Sequence, residues 1–127
     1  MIKGIGTDII EIHRIKKATE RYSDRFLNRI FTKNEQGYCL SHRDPTPRLA
    51  GRFAAKEAIL KAIGSGLRTN ISWLDIEIIN NQEGKPEVYL SEKLKKLLSF
   101  DTKSLSIQIS ISHCHDYATA FAIITAT

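Results

Sequence analysis

The chain has few cysteines and no long apolar run. Its two cysteines in 127 residues, Cys39 and Cys114, match no zinc-ligand or redox spacing. No basic segment followed by an apolar run opens the chain, and the most apolar stretch, 118–127, is shorter than the roughly 20 residues that span a bilayer. Apolar residues at 42% and charged residues at 26% exclude a disordered chain. We therefore predict one soluble, cytoplasmic domain over residues 1–127.

Positive charge is concentrated in the first half of the chain. Residues 1–70 hold 14 Lys and Arg against 7 Asp and Glu, whereas residues 71–127 hold 5 against 7. The formal net charge of +5 therefore comes from the first half alone. A basic face of this kind indicates an acidic partner, such as nucleic acid, an anionic membrane, or an acidic protein or cofactor. From charge alone, a solvated surface without a partner is an equally good interpretation.

Helices precede a set of alternating strands in the predicted order of elements. Capping residues are Ser23 and the pair Thr32 and Glu35, and the Gly-Ser-Gly at 64–66 predicts a helix end. The predicted elements are a strand 2–10, helices 13–22, 23–30, 32–40 and 47–63, strands 74–78 and 88–90, a helix 91–100, and strands 104–112 and 117–124. This order predicts an α+β fold, with a mostly antiparallel sheet around one long, largely buried helix and short basic helices near the N-terminus.

The predicted helix 47–63 is the most informative segment. Small and apolar residues recur on all its sides, so its own sheet, with or without a neighbouring subunit, should cover it. Four charged residues lie within it, namely Arg52, Lys56, Glu57 and Lys61. Charged groups on an enclosed helix must be paired or bind a ligand, because burying one alone costs several kcal/mol. Glu57 and Lys61 stand one turn apart, so a helical ion pair of about 0.2–0.5 kcal/mol is the simpler interpretation of these two.

An acidic residue, Asp8, lies in the otherwise apolar first strand. Residues 4–8 read Gly-Ile-Gly-Thr-Asp. The glycines indicate a bend or a close backbone approach, and they indicate phosphate binding only weakly, because the longer Gly-x-Gly-x-x-Gly is incomplete. Asp8 could cap the next helix, or it could supply one of the one or two carboxylates that Mg²⁺ takes from a protein.

Two histidines, His113 and His115, share a face of the strand near its end. Zinc needs three or four ligands, and the remaining histidines, His13 and His42, have no flanking cysteine pair. A strand-end turn, or an anion-binding role for His113, is therefore the better interpretation of this segment than zinc.

Four short motifs point to one family when they are taken together. They are Gly-Ile-Gly-x-Asp at 4–8, Phe-x-x-Lys-Glu-Ala-x-x-Lys at 53–61, Gly-Lys-Pro at 84–86 and Ser-x-Ser-His at 110–113. In order, spacing and total length, the chain resembles the holo-acyl-carrier-protein synthases, the small 4′-phosphopantetheinyl transferases, from residue 2 to about residue 124. The motif at 53–61 is specific, whereas Gly-x-Gly and Gly-Lys-Pro carry little weight alone.

The resemblance implies transfer of the 4′-phosphopantetheine group of coenzyme A to a serine of apo-acyl carrier protein, in fatty acid biosynthesis. The other product is adenosine 3′,5′-bisphosphate. Negative charge that develops on the phosphates needs a metal and cations. The resemblance assigns Asp8 and Glu57 to Mg²⁺ (or Mn²⁺), and Glu57 and Lys61 to catalysis. It assigns coenzyme A binding to Arg52, Lys61, Gly84, Lys85, Pro86 and His113. The general base stays open between Glu57 and a water held by the metal or by Glu35.

The resemblance also gives the basic first half a partner, because acyl carrier proteins are strongly acidic. Arg14, Lys17, Arg21 and Arg25 follow steps of three, four and four residues, so they form one stripe if the two short helices stay nearly continuous. We predict that this stripe docks the carrier protein. Family members of this length resemble homotrimers with active sites between subunits, and the apolar helix is compatible with that assembly.

Two functions from other classes compete with this interpretation. A nucleic-acid-binding module would use the same basic half, but it needs exposed aromatic residues among the cations for base stacking. Only Tyr22 and Phe26 are candidates, and both fit better as packing residues. A purely structural trimer accounts for the apolar helix and leaves its charges unexplained. We therefore expect neither nucleic acid nor a membrane as a partner.

Overall fold

The helices and strands follow the predicted order. The computed structural model describes residues 1–64 and 70–127. Its elements are β1 (Ile2–Glu11), α1 (Ile12–Tyr22), α2 (Asp24–Ile30), α3 (Lys33–Leu40), α4 (Thr46–Ile63), β2 (Ile76–Asn80), β3 (Pro86–Leu90), α5 (Glu92–Leu97), β4 (Ser106–His113) and β5 (Tyr117–Thr125). Short 3-10 turns also lie at Trp73–Asp75 and Thr102–Ser104. The α+β prediction is confirmed.

Two antiparallel sheets surround α4. Strands β1, β5 and β4 form one sheet in that spatial order, and β2 and β3 form a hairpin. α4 packs on the three-stranded sheet, and the hairpin and α5 close the main core around it. A second apolar cluster joins α1, α2 and α3 to the start of α4. Among the described residues, no helix combines the length and apolarity needed to cross a bilayer.

Local sequence signals predicted two helix ends correctly. The Thr32 hydroxyl accepts from the Glu35 amide, and the Glu35 carboxylate accepts from the Thr32 amide at 2.8 Å, so the predicted capping box is confirmed. α4 ends at Gly64, whose φ of 116° suits a residue without a Cβ. Residues 65 and 66, also part of the predicted helix end, lie outside the described residues.

Three predicted boundaries are wrong, two of them because side chains form local turns there. Leu74 and Asp75 belong to a 3-10 turn rather than to β2, since the Asp75 carboxylate accepts from the Ser72 amide at 2.7 Å and the Ser91 hydroxyl at 2.8 Å. Residue 104 belongs to a turn capped by Asp101, so β4 begins at Ser106. α5 ends at Leu97 instead of residue 100, because the chain is already extended at residue 98.

Ser23 separates α1 from α2 more sharply than the sequence predicts. Its side chain makes no capping hydrogen bond, and its backbone has φ 48° and ψ −126°. A positive φ is unfavourable for a residue with a Cβ. The backbone therefore turns at Ser23, and the two short helices do not run on as one.

The two glycines of β1 allow its backbone to touch α4. A Cβ on Gly4 would lie 1.9 Å from the carbonyl oxygen of Ala62, and a Cβ on Gly6 would lie 1.9 Å from that of Ala58. Real side chains never approach backbone that closely, so the close-approach interpretation of these glycines is confirmed. The described contacts give them a packing role, and the phosphate-binding interpretation is not needed to explain them.

α4 is covered by its own chain. Lys61 is the one exposed residue between Thr46 and Ile63, a helix that the structure describes throughout. Sheet residues cover one side, and the N-terminal helices and the hairpin cover the others. A neighbouring subunit is therefore not required to bury this helix.

Both cysteines are free, and they differ in environment. Cys39 is fully buried, and this burial raises the pKa of its thiol from 9.0 to about 11. We expect one thiol, that of the exposed Cys114, to react with Ellman's reagent at pH 8 in the native protein, and both to react in denaturant. A second native thiol titrating below pH 9 would contradict the burial of Cys39.

The raised pKa of Cys39 also sets a pH dependence of stability. The unfolded thiol ionises near pH 9 while the folded thiol stays protonated to about pH 11. The stabilisation is therefore complete below pH 9 and is lost as the pH rises to 11, a change on the order of 3 kcal/mol. We expect wild type to lose more unfolding free energy than Cys39→Ala across this range in urea titrations. The difference between the two proteins isolates the thiol, because Lys56 is present in both.

Candidate active site

Asp8 and Lys61 form the centre of the candidate site. The Lys61 Nζ donates to the Asp8 Oδ1 at 3.0 Å and to the Thr7 carbonyl oxygen at 3.0 Å. The Asp8 side chain is 16% exposed and that of Lys61 53%, so solvent reaches this pair. Asp8 lies within β1, and the residue that precedes α1 is Glu11. The interpretation of Asp8 as the cap of the next helix is therefore wrong.

Glu57 lies on the same side of α4 as Lys61. It is half-buried and stands one helical turn before Lys61, and residues four apart share a face of a helix. Lys61 finds its carboxylate partner, Asp8, on a strand 53 residues away in sequence. A local helical ion pair is therefore not the whole explanation of Lys61, which also joins α4 to β1. The structure brings Asp8, Glu57 and Lys61 to one side of α4.

The remaining acid of the sequence analysis, Glu35, is fully buried. Its Oε1 accepts from the Lys56 Nζ at 2.7 Å, and its Oε2 accepts from the Ile78 amide at 2.8 Å. The Lys56 Nζ also donates to the carbonyl oxygens of Ile30 at 2.7 Å and Trp73 at 3.1 Å. Burial lowers the pKa of Lys56 below its ordinary value, and the Glu35 carboxylate opposes that shift. A carboxylate enclosed in this way does not hold a solvent water, so Glu35 is not the general base.

Arg52 is also buried. Its Nη2 donates to the Asn80 Oδ1 at 2.7 Å, and its guanidinium lies 4.4 Å from the centre of the Tyr38 ring. Its Nε has no hydrogen-bond partner within the described residues. Since an unpaired buried donor is costly, this guanidinium keeps one donor for a group that lies outside the described residues.

The turn that contains Gly84, Lys85 and Pro86 is shaped by Asn81. The Asn81 Oδ1 accepts from the amides of Glu83 at 2.9 Å and Lys85 at 3.0 Å. Gly84 has a φ of 85°, a conformation that glycine adopts without strain. Lys85 is exposed at this turn, which follows directly on the strand that carries Asn80, the partner of Arg52.

The predicted site residues fall on opposite sides of α4. At 3.6 residues per turn, Arg52 points about 140° away from Glu57 and about 180° away from Lys61. The hairpin carries Asn80 and the turn at residues 84–86 on the side of Arg52, whereas β1 carries Asp8 on the side of Lys61. His113 ends β4, and β1 and β4 are the two outer strands of their sheet. We therefore group the predicted residues into two half-sites: half-site A with Asp8, Glu57 and Lys61, and half-site B with Arg52, Gly84, Lys85 and Pro86, to which the family resemblance adds His113.

The basic helices enclose a groove instead of presenting a continuous stripe. A cavity of about 480 Å³ lies between α1 and α2, and it is lined by Ala18, Tyr22, Arg25, Phe26 and Arg29. Arg21 lies over the Tyr22 ring at 5.3 Å. Arg14, Lys17, Arg21 and Arg25 are all exposed, but the turn at Ser23 sets Arg25 apart from the other three. Tyr22 is exposed, so its interpretation as a packing residue is wrong, while Phe26 does pack against the second core cluster.

A family profile matches nearly the whole chain. The match is to the 4′-phosphopantetheinyl transferase superfamily and covers residues 4–122, which include both half-sites. The chain belongs to this superfamily. The holo-[acyl-carrier-protein] synthase of Protochlamydia amoebophila is 57% identical to it over 123 residues, which are 97% of this chain and 98% of the relative.

Solved structures of the superfamily share the fold. The holo-(acyl-carrier-protein) synthase of Bacillus anthracis, in complex with CoA (3′,5′-ADP), is 38% identical, with a TM-score of 0.81 over 100% of this chain and 99% of that one. The holo-[acyl-carrier-protein] synthase of Helicobacter pylori, in complex with coenzyme A, is 33% identical, with a TM-score of 0.83 over 95% and 99%. The predicted membership and fold of the superfamily are confirmed.

Sequence reasoning missed two features of this transferase chain. One is the buried ion pair of Glu35 and Lys56. The two residues lie 21 positions apart, and no sequence pattern indicates that they pair. The other is the aromatic and basic lining that Tyr22 and Arg29 give to the α1–α2 groove. The alternation of cations and aromatic residues at 21–29 was the available signal for the groove.

Proposed function

We propose that this protein transfers the 4′-phosphopantetheine group of coenzyme A to a serine of apo-acyl carrier protein, in fatty acid biosynthesis. The observation that carries the proposal is half-site A, where a strand carboxylate and a helix ammonium meet at 3.0 Å, with a second carboxylate, Glu57, one helical turn before the ammonium. Membership of the 4′-phosphopantetheinyl transferase superfamily supports the reaction class. The coenzyme A complexes of two relatives support the donor. The whole chain, residues 1–127, would act as one cytoplasmic domain.

The donors of half-site A suit Mg²⁺ or Mn²⁺. Asp8 and Glu57 provide hard carboxylate oxygens at a solvent-accessible position. Within residues 1–64 and 70–127, no three His, Cys, Asp or Glu side chains gather into a metal-binding group. Two protein carboxylates are the ligand number typical of Mg²⁺, which completes its shell with water and phosphate oxygens. When bound, the ion would withdraw charge from the pyrophosphate and stabilise its transferred phosphoryl group.

The remaining chemistry would be carried out by the side chains of both half-sites. Lys61 would release Asp8 as coenzyme A binds, donate to the pyrophosphate oxygens and pass a proton to the leaving 3′,5′-bisphosphate. Arg52, Lys85 and His113 would bind the phosphates of the nucleotide end, with Gly84 and Pro86 shaping the turn. The nucleophile is the carrier protein's serine, and Glu57 would accept its proton directly or through a water.

The transfer is tested by the mass of the carrier protein. Apo-acyl carrier protein is incubated with this protein, coenzyme A and Mg²⁺, and a parallel sample contains EDTA. We expect a mass gain of one phosphopantetheine that EDTA abolishes and excess Mg²⁺ restores. No mass gain with several carrier proteins would contradict the proposed reaction. A mass gain that persists in EDTA would contradict the proposed metal requirement.

The α1–α2 groove is the proposed docking surface for the carrier protein. Arg25 and Arg29 flank a floor of Ala18, Tyr22 and Phe26. A concave, aromatic floor between cations suits a protein helix with an acidic rim and an apolar residue at its centre. Arg14, Lys17 and Arg21 extend the positive field along α1 and would steer the acidic partner.

Charge reversal in this groove or along α1 should change the kinetics for the carrier protein and leave those for coenzyme A unchanged. We expect Arg25→Glu, Arg14→Glu or Arg21→Glu to raise KM for the carrier protein about tenfold and to weaken its salt dependence. The KM for coenzyme A should stay constant in steady-state assays. Lys93→Glu, which makes the same charge change on exposed α5, is the matched control. An unchanged KM, or binding of single-stranded nucleic acid in preference to the carrier protein, would contradict this docking surface.

The outer face of the three-stranded sheet supports a homotrimer. Ile5 is 60%, Ile9 65% and Phe121 43% exposed on that face, and Ile5 lies opposite the half-buried Ile123. An apolar sheet face of this kind is normally covered. Copies of the chain that pack through it would also bring half-site A of one subunit to half-site B of the next. We therefore propose intersubunit active sites in a trimer that the sheet, rather than α4, holds together.

Mixing inactive subunits tests this division of the site. We expect Glu57→Ala subunits, mixed and exchanged with subunits that carry both Lys85→Glu and His113→Ala, to recover about a quarter of wild-type activity, because one site in four then has two intact halves. Asp8→Ala mixed with Glu57→Ala should recover none, since both changes damage half-site A. Equal recovery in the two mixtures, or none in either, would contradict the two half-sites.

A further inference from the structure

The contact between α4 and β1 repeats along the helix. Ala50, Ala54, Ala58 and Ala62 recur every four residues, and two of them, Ala58 and Ala62, touch the glycines of β1. A slide of α4 by one turn, about 5.4 Å, would place Ala54 and Ala58 against the same glycines. The small residues therefore permit close packing without selecting one axial position. Other contacts must therefore determine the axial position of α4 relative to β1.

Lys56 makes contacts that exist at one axial position only. Its ammonium group is fully buried and donates to three acceptors on three different elements: the Ile30 carbonyl oxygen at the end of α2, Glu35 on α3, and the Trp73 carbonyl oxygen in the 3-10 turn. On α4, Lys56 points about 160° away from Ala58, the residue that touches Gly6. A one-turn slide would leave the ammonium and the Glu35 carboxylate buried without each other, a costly state.

We propose that Lys56 is a positioning residue, which sets the axial register of α4 against β1 and thereby places Glu57 and Lys61 beside Asp8. A single buried polar group is known to fix the register of packed helices whose apolar contacts repeat. Here the neighbouring residue, Glu57, belongs to half-site A, so the register of the helix is also the geometry of the site. This inference rests on the proposed function, because it assigns Lys56 a role in that reaction.

The test removes the ion pair without leaving a buried charge. The double variant Lys56→Met with Glu35→Gln replaces both charged groups by neutral ones of similar size. We expect it to fold with a cooperative thermal transition, while kcat falls about a hundredfold, as a small misplacement of catalytic groups can cause. Its affinity for Mn²⁺, followed by electron paramagnetic resonance, should fall about tenfold. Emission of the only tryptophan, Trp73, should also shift, since its ring lies 5.0 Å from that of Phe53 on α4.

A second variant weakens the packing of α4 but keeps the Lys56–Glu35 pair. It separates the effect of helix register on catalysis from the effect of lower stability. Ile59→Val truncates a fully buried residue of α4 and should lower the thermal midpoint while kcat, Mn²⁺ affinity and Trp73 emission stay constant. Wild-type kcat and Mn²⁺ affinity in the double variant would overturn the proposal. If the double variant does not fold, Lys56→Gln is measured at low temperature, with the same expected losses. No transfer by the wild-type protein would remove the proposed function itself, an outcome distinct from full activity in the double variant.

Discussion

Replacement of Glu57 by alanine is expected to lower kcat for phosphopantetheine transfer by about a thousandfold. Glu57 stands one turn from Lys61, which bonds Asp8 at 3.0 Å, so in the proposed site it would face the charge that develops on the pyrophosphate. Asp8→Asn keeps the shape of the other carboxylate and should cost a similar factor. Both variants should also require a higher Mg²⁺ concentration for their residual activity. Single-turnover assays across a Mg²⁺ titration measure both effects.

The KM values show whether these losses concern chemistry or docking. The α1–α2 groove lies apart from half-site A in sequence and is lined by residues 18–29, so KM for the carrier protein should change by less than about threefold. Glu92→Gln is the control, because Glu92 is an exposed acid on α5 that pairs only with its helix neighbour Lys95, at 3.5 Å, within the described residues. A near-normal kcat in Glu57→Ala would contradict the assignment of half-site A as the catalytic centre.

Substitution of Gly6 by alanine is expected to lower the free energy of unfolding by about 3 kcal/mol. The new Cβ would lie 1.9 Å from the Ala58 carbonyl oxygen and 2.9 Å from the Ala62 amide nitrogen, so β1 or α4 must move. Both atoms belong to backbone that is tied into a helix, which leaves no flexible side chain to give way. Gly4→Ala meets the Ala62 carbonyl oxygen at the same distance and should behave alike. Urea unfolding measures the change.

The control for this substitution is a glycine in open space. Gly37 lies within α3, and a Cβ added there would meet no atom within 4 Å. Gly37→Ala should therefore raise the free energy of unfolding by about 1 kcal/mol through helix propensity. Opposite signs at the two glycines would show that contact, and not the loss of glycine as such, determines the outcome. A neutral Gly6→Ala would contradict the close approach of β1 to α4.

Local rules of sequence predicted the elements well, and tertiary contacts explain the failures. The capping box of Thr32 and Glu35 needs four consecutive residues, and it formed as predicted. The alternation in 104–112 also predicted a strand correctly, although residue 104 went into a turn under the control of Asp101. The single stripe of cations, which required α1 and α2 to stay nearly continuous, is interrupted at Ser23, whose positive φ no propensity indicates.

The candidate site shows the same division between local and distant information. The motif at 53–61 placed Glu57 and Lys61 on one face of a helix, because four-residue spacing determines that face. It could not show that Lys61 would pair with Asp8 across 53 residues. The family resemblance grouped Arg52 with these residues, and the rotation of the helix separates them. Sequence spacing predicts which residues share a helix and a face of it. The elements that each face contacts follow only from the tertiary structure.

The Glu35 carboxylate joins three parts of the chain that could otherwise open independently. It accepts from the Thr32 amide at the start of α3, from Lys56 in α4 and from the Ile78 amide in β2. If α3 frayed, the ammonium and the Ile78 amide would lose their partner at the same moment, in a place that water does not reach. Fraying of this helix alone is therefore suppressed, and the three segments should exchange their amide hydrogens as one cooperative unit.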